Sequence, residues 1–415
     1  MKALLLGLLV VIVTCEEQCN TPTYPDINGK CNCDPTSSQP FTVRCDGQNI
    51  GKLPSIPSAT HTLYIANDRI EQLNIPGTSK DLQGLFIRKS GINSIAENAF
   101  QGMTKLGALG LEDNKLTSVA ANTFNGLSNV TKIYLSNNSI DIIEAEAFNL
   151  PSLKDLILSG NQIKDLPKNT FGATSQLTSI DVSDNKLTSL ADGLGQLTSL
   201  ETLHLNRNHI ASLGASRLLY LISLTTIHAH TNYVNKIGPK AFDGLAQLKT
   251  LNLGNNQVLE ISKEAFQVCR STIKEVHLQN NNLFSLHEDT LPWEDLTTLK
   301  LDGNPWACEC DLTWLMTGNT NMKYGNLTCD APAELKGTPL DKVDQKALDC
   351  PEPEPSPKSG LSKTHLILAI AIPAGVVLLI IIVVVIICCR RKRNAEGTKS
   401  VKYSAVYKPT TEQKA

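Results

Sequence analysis

Between Leu82 and Leu301 one phrase keeps returning, L-x-x-L-x-L-x-x-N-x-L. Its clearest copy is Leu106, Leu109, Leu111, Asn114 and Leu116. Further copies start at Val130, Leu153, Leu177, Leu200, Leu224, Leu248 and Ile273, with successive starts 23 to 25 residues apart. A short unit cannot bury its apolar face alone, so a chain built from such units stacks them and lets each cover its neighbour. The phrase and its period therefore predict a solenoid in which every repeat supplies one short strand to a parallel sheet. A chain of 415 residues with 41% hydrophobic content would otherwise suit two or three globular domains, and the repetition replaces that default.

Two weaker rungs precede the clear ones. Leu63, Ile65, Asp68 and Ile70 form the first, and Leu82, Leu85, Ile87, Ser90 and Ile92 the second, each with a short polar residue in place of Asn. The polar line then runs Asp68, Ser90, Asn114, Asn138, Asn161, Asn185, Asn208, Asn232, Asn256, Asn281 and Asn304. About ten residues after each polar position stands an aromatic column, Phe100, Phe124, Phe148, Phe171, Phe242 and Phe266, with Leu194 and Leu218 as substitutes in the middle. Replacement by Leu, which belongs to the same volume class, marks the column as packing rather than a binding stripe. Ala229 stands where a Leu is expected, so its rung should pack less well.

The ends of the chain point outside the cell. Of 12 cysteines, Cys19, Cys31, Cys33 and Cys45 precede the repeats, and Cys308, Cys310, Cys329 and Cys350 follow them. Such clusters suit an oxidising compartment, and four cysteines allow three pairings at either end. A C-x-C without a second close pair is poor zinc spacing. Residues 1–15, with Lys2 and the apolar run Ala3 to Val13, read as a signal peptide too short to span a bilayer, cut near Cys15 and Glu16. After Cys350 the run P-E-P-E-P-S-P-K-S-G favours an extended stalk over residues 351–365. Residues 366–387 carry no charge, long enough for one transmembrane helix, and Arg390, Arg391, Lys392 and Arg393 place the tail, 388–415, in the cytoplasm. Cys388 and Cys389 at the inner edge are palmitoylation candidates. The net charge is −2; the basic tail accounts for the positive excess, leaving no strongly basic surface for nucleic acid.

The array and both cysteine flanks, above all N-P-W-A-C-E-C-D-L-T-W-L at Asn304 to Leu315, resemble the extracellular leucine-rich repeat family. L-P-S-I-P-S-A-T-H-T-L-Y-I, Leu53 to Ile65, is similar to the variable lymphocyte receptors, whereas the membrane span and basic tail are not. The resemblance implies an α/β fold: a curved parallel sheet forming a concave face, an N-terminal cap over 16–57, repeats over 58–303 and a C-terminal cap over 304–350. It implies disulfides joining Cys19 with Cys33, Cys31 with Cys45, Cys308 with Cys329 and Cys310 with Cys350. It also implies that the Asn line turns inward to bond the backbone of neighbouring turns. Members of the family are recognition modules, in innate immunity, neuronal adhesion and guidance. The implied role is a type I cell-surface receptor for an extracellular protein or microbial ligand. The alternative is an adhesion or matrix protein that binds itself or its surroundings and uses its tail for anchoring and sorting.

No catalytic phrase is present: G-x-S-x-G, H-E-x-x-H, Walker and kinase motifs are absent, so no enzyme and no cofactor is expected. Function then falls to the residues between the leucines, which alternate away from the core. One such column is Gly110, Tyr134, Ile157, Asp181, His204, His228, Asn252, His277 and Lys300. Tyr134 and Ile157, apolar and flanked by Lys132 and Lys154, suit an anchor with a charged rim. Asp181, His204 and His228, with His230 on the same rung and His277 further on, suit a ligand contact sensitive to pH; two imidazoles and one carboxylate make an incomplete metal set. Sequons at Asn129, Asn137 and Asn326 mark glycosylation sites, and a glycan at Asn137 would mask part of the face near Tyr134. Cys269 lies outside both flanks and reads as a buried apolar residue, with a partner-linked disulfide as the alternative. In the tail, V-K-Y-S-A-V places Tyr403 in a phrase similar to an inhibitory phosphotyrosine motif or a sorting signal, which would engage an SH2 or sorting adaptor.

Overall fold

The computed structural model describes residues 31–33, 41–55, 57, 60–75, 80–213, 218–316, 325–348 and 350, all within the unit Met1–Cys350. One sheet of thirteen strands runs through it. Cys31–Cys33 pairs antiparallel with Phe41–Asp46. From Phe41–Asp46 onward every neighbour is parallel, through Thr60–Ala66, Gly84–Arg88 and Ala108–Gly110 to Thr298–Lys300. Each clear copy of the phrase contributes one three-residue strand whose middle member is the second leucine, as in Lys132–Tyr134 and Asp155–Ile157.

From Thr60–Ala66 onward the strands of this sheet pair without slippage; the one irregularity lies between Phe41 and Thr42, where the cap strand meets the first rung. Leu109 lies opposite Ile133, Ile133 opposite Leu156, Leu156 opposite Ile180 and Ile180 opposite Leu203. All five are fully buried, while their strand neighbours are mostly half-exposed. This is the two-residue alternation of a sheet with one face on the core, where a shift by one residue would turn the whole apolar set toward water. Three residues beyond each strand's outward residue the chain turns through a left-handed position. Asn67, Asp113, Asn137, Asp184, Asn255 and Asn280 have φ between 52° and 57°, and Gly160 and Gly303 stand at the same place. Asn, Asp and Gly tolerate that conformation best. Lys89, Arg207 and Thr231 adopt it too, with φ of 48°, 54° and 58°.

The Asn line is internal and bonded from rung to rung. The Asn161 carboxamide accepts the Ile140 N–H at 3.0 Å and donates to the carbonyls of Leu135 at 3.0 Å and Leu158 at 2.9 Å. Asn185, Asn208, Asn232, Asn256 and Asn281 repeat the pattern. Each of these Asn carboxamides thereby finds partners, and each rung is tied to the one before it. The substitutes at the N-terminal end do this incompletely. Ser90 Oγ donates to the Arg88 carbonyl at 2.8 Å. Asp68 accepts from Gly51 and Arg69 through Oδ1, while its Oδ2 is buried without a partner.

On the other side of the core the phenylalanines are all buried, and Phe100, Phe124, Phe148 and Phe171 contact one another in series at centroid distances of 5.8, 5.6 and 6.1 Å. Leu194 and Leu218 are equally buried in their places. Ala229 is buried, and its rung keeps the register, with Ile227 opposite Leu203 and Leu251. The α/β expectation needs correcting here. The return path consists of two-residue strand pairs, such as Ser118–Val119 with Ile142–Ile143, and turns of 3-10 helix such as Asp192–Gln196. Among described elements, α-helix is confined to short pieces such as Thr313–Met316. Once the strand and its turn are made, a unit of this period has too few residues left for a helix of several turns.

Disulfides close both ends. Cys31 joins Cys45 across the antiparallel pair; Cys308 joins Cys329 and Cys310 joins Cys350. Between them Trp306 is buried and donates its indole N–H to the Leu301 carbonyl at 3.3 Å, fixing the C-terminal cap to the last rung. Cys19, the expected partner of Cys33, lies outside the described residues, as do the signal peptide, the stalk, residues 366–387 and the tail with Cys388, Cys389 and Tyr403. Among the described residues no helix is long and apolar enough to cross a membrane.

Candidate functional site: the open face of the sheet

With one face of the sheet on the core, the other carries the residues between the leucines, and register decides which of them meet. Gly110, Tyr134, Ile157, Asp181, His204, His228, Asn252, His277 and Lys300 are successive partners on neighbouring strands. The expected column is therefore continuous. It also extends further than expected, because Arg44 lies opposite Tyr64, Tyr64 opposite Phe86 and Phe86 opposite Gly110.

Those three added residues form a stack. The Arg44 guanidinium carbon sits 4.3 Å above the Tyr64 ring, and the Tyr64 and Phe86 rings are 4.8 Å apart and 11° from parallel. That separation matches the spacing of adjacent strands, about 4.8 Å, so flat side chains at register partners stack without distortion. A Cβ at Gly110 would come within 2.5 Å of Phe86 Cδ1, so only glycine leaves room for the ring where it lies. Their position between the second and third apolar residues of Leu63-Tyr64-Ile65 and Leu85-Phe86-Ile87 is the same as that of Tyr134. Sequence reasoning missed them by starting the column at the first rung with a true Asn. Further along, Tyr134 and Ile157 are adjacent and half-buried. Beside them Lys132 pairs with Asp155 at 3.0 Å, so one of the two expected rim lysines is neutralised on its own face.

The second half of the column is imidazole-rich. His204 and His228 stack with centroids 4.9 Å apart and planes 19° from parallel. His230 follows His228 on the same face and shares a hydrogen bond at 3.2 Å between Nδ1 and the Thr231 hydroxyl. His277 stands two strands from His228, beyond Asn252. Burial holds His228 below the ordinary histidine range, helped by His204, His230 and His277 and opposed by Glu275. Burial likewise lowers His230, with Arg207 adding to it and Asp184 opposing, and lowers His277, with Lys300 adding and Glu275 opposing. Three imidazoles are thus biased toward the neutral form. Asp181 is opposite His204, but its carboxylate accepts the Ser183 N–H at 2.9 Å. Among the described residues no group of three or more His, Cys, Asp or Glu is placed to hold a metal ion.

All three sequon asparagines, Asn129, Asn137 and Asn326, are exposed. Asn137 sits on the turn leaving the Tyr134 strand, donates its amide N–H to Asp113 Oδ1 at 3.1 Å and lies over Gly160, where a Cβ would collide with its Oδ1. Cys269 is buried and unpaired, and burial pushes its thiol up to about 11. Outside the column, His209 and Tyr233 stack at 5.7 Å and, with Arg207 and Thr231, line a shallow cavity of about 260 Å³.

The class of protein follows from this geometry. Parallel strands in continuous register from Thr60–Ala66 onward, an internal Asn ladder, a Phe spine and disulfide-closed ends define a leucine-rich repeat solenoid fold. Residues 104–163, 151–210 and 222–272 match the family model described as leucine rich repeat. Chondroadherin of Rattus norvegicus is 38% identical over 78 residues, 18% of this chain and 21% of that protein. Prolargin of Bos taurus is 30% identical over 95 residues, 22% of this chain and 24% of that protein. The match thus spans between a fifth and a quarter of the length of these relatives. Among solved structures, a chain of the octameric complex of Latrophilin 3, Unc5D and FLRT2 superposes with a TM-score of 0.67 at 22% identity, covering 77% of this chain and 99% of that one. A chain of the Toll and Spatzle complex gives 0.55 at 19% identity over 70% of this chain and 52% of that one. Both likenesses are of fold.

Proposed function

We propose that this chain is a cell-surface recognition receptor that binds a protein ligand through the open face of its sheet. One observation carries the reading. Tyr64, Phe86, Tyr134 and Ile157 stay half-exposed in one register column, on the side of the sheet opposite a fully buried core. Apolar and aromatic side chains with a charged margin are the usual anchors of protein interfaces. Solved likenesses come from complexes, of Toll with Spatzle and of FLRT2 with Latrophilin 3 and Unc5D, which supports protein binding in general terms. In this reading the chain acts by binding rather than catalysis, and a microbial protein is an equally suitable ligand. His204, His228, His230 and His277 modulate the contact, with Asp181 between them and the anchor. Residues 366–387 cross the membrane once, a reading supported by their unbroken apolar run, and Tyr403 engages an adaptor.

A second reading, self-association in adhesion or matrix, is favoured by Leu219, Tyr220 and Ile222, which are 42%, 59% and 57% exposed on the return path of one rung. The full chain displayed on cells and probed with a panel of secreted proteins separates the two. A ligand whose binding is lost with Tyr134→Arg and Ile157→Arg, and kept with Ile142→Arg on the opposite side, supports the receptor reading. Clustering of the displaying cells that is abolished by Tyr220→Arg and indifferent to the open-face pair supports self-association and defeats it.

A further inference from the structure

The two edges of the sheet differ most at one rung. Just before the strand Thr226–His228 stand Leu219, Tyr220 and Ile222, all exposed, and just after it stands Tyr233, 48% exposed. A chain enters a short strand at one edge of the sheet and leaves it at the other, so the two groups lie on opposite edges at one level. The first group is a knob. Its equivalents are Gly195, Gln196 and Thr198 one rung earlier and Asp243, Gly244 and Ala246 one rung later. A Cβ at Gly244 would come within 2.2 Å of the Leu219 carbonyl oxygen, so the next rung sits close against this backbone and adds no side chain beside Tyr220.

The opposite edge is a socket with a ledge. Tyr233 stacks on His209 at 5.7 Å, and with Arg207 and Thr231 the pair lines the cavity of about 260 Å³. Leu259 and Phe284, each 52% exposed, follow on the next two rungs, three residues beyond Asn256 and Asn281 of the ladder. At the positions one and three residues past the ladder asparagine, earlier rungs carry Lys115, Asp141, Lys164 and Lys186, whereas from Asn232 onward these positions hold no charge. Single exposed apolar residues are ordinary; grouped ones mark contact surfaces.

We propose that a second copy of this chain covers these edges side by side, with Tyr220 and Ile222 of one copy seated against Tyr233 and Leu259 of its neighbour. The match between the edges identifies the occupant. One edge projects an aromatic side chain, the other offers a cavity beside an apolar ledge, and a sideways displacement brings them together at the same level. Arg207, the charged group of the cavity, is already paired with Asp184 at 3.2 Å. The Tyr220 hydroxyl enters beside Thr231, which meets the need of a buried phenol for a polar partner. Such a contact joins two different surfaces and leaves one edge of each copy free, so association continues past the dimer. Both edges lie outside the open-face column, so the ligand surface stays uncovered and the proposal is independent of the receptor reading. It takes the patch that favours self-association and names what covers it.

The test uses the full 415-residue chain in detergent micelles, with its mass followed by light scattering as concentration rises. Wild-type mass should increase without levelling at the dimer. Tyr220→Arg on one edge, or Tyr233→Arg or Leu259→Arg on the other, should each hold the chain at monomer with an unchanged melting temperature, since all three side chains are exposed. An equimolar mixture of the Tyr220→Arg and Leu259→Arg chains should form a one-to-one pair and nothing larger, because each retains the edge that the other lacks. Ile142→Arg, exposed and apolar in the wild type but outside both groups, should change nothing. A monomeric wild type, a mass that follows one edge alone or neither, a mixture that fails to pair, or a loss produced by Ile142→Arg as well overturns the assignment. The receptor reading fails on different evidence. A chain whose mass ignores the edge substitutions but whose ligand is lost with Tyr134→Arg and Ile157→Arg has lost only the edge contact. One that pairs by its edges while its ligand tolerates the open-face substitutions has lost only the receptor interface.

Discussion

His204 and His228 stack ring on ring at 4.9 Å because they are register partners on adjacent parallel strands. Two imidazoles so placed cannot both be charged without repulsion, and burial also lowers the affinity of His228, His230 and His277 for protons. The unfolded chain, with histidines near 6.5, binds more protons than the folded one in the window just below that value. Stability is then fully present above pH 6.5 and falls as pH drops through the window, levelling off once the folded imidazoles are charged too. Thermal melts between pH 7.5 and 5 should show that decline, and His228→Gln should flatten it. A pH-independent melt in wild type would remove the basis for this prediction. Asp184, Arg207, Glu275 and Lys300 face the same imidazoles, so the test belongs at constant ionic strength.

Asp68 and Asn161 occupy equivalent places in the polar line and differ in what they can donate. Asn161→Ala leaves the Ile140 N–H and the Leu135 and Leu158 carbonyls without their partner, which should cost about 2 to 4 kcal/mol. Asp68→Asn should do the reverse. It replaces an orphaned oxygen by an N–H donor and should stabilise by about 1 kcal/mol. Urea denaturation of the two variants against wild type measures both signs.

Thr231 holds φ at 58°, at a place where most rungs use Asn, Asp or Gly. A β-branched residue is costly there. Thr231→Asn should therefore stabilise by about 1 kcal/mol, and Thr231→Val should not. The strained point of that rung is its turn.

Cys269, buried with its thiol raised to about 11, should resist iodoacetamide in the folded protein at pH 8 and react once urea unfolds the chain, since the thiolate is the nucleophile. Rapid labelling of native protein would revive the alternative of a disulfide to a partner.

Much of this architecture was legible because the phrase encodes register directly. A residue between two inward leucines must face outward, and equal spacing aligns Tyr134 with Ile157 and His204 with His228. Pairing of Cys31 with Cys45 could not be read from spacing, which permits three connectivities; the resemblance supplied it. Arg44, Tyr64 and Phe86 escaped for another reason. Asp68 and Ser90 weaken the phrase in just those rungs, and Arg44 lies in the cap, where there is no phrase to follow. The lack of helix on the return path depends on how many residues each turn consumes, which the period bounds without fixing.

Each asparagine of the ladder reaches only to the rung before it and accepts nothing from farther away. A rung copied whole by gene duplication would thus find a donor and an acceptor waiting on either side, and the chain would lengthen by one strand without any existing bond being redrawn. Inheritance can then edit such a protein in sentences rather than letters: adding a unit displaces Tyr134 from Asp181, or His204 from Phe86, and changes the spacing that a ligand must match while the scaffold stays whole.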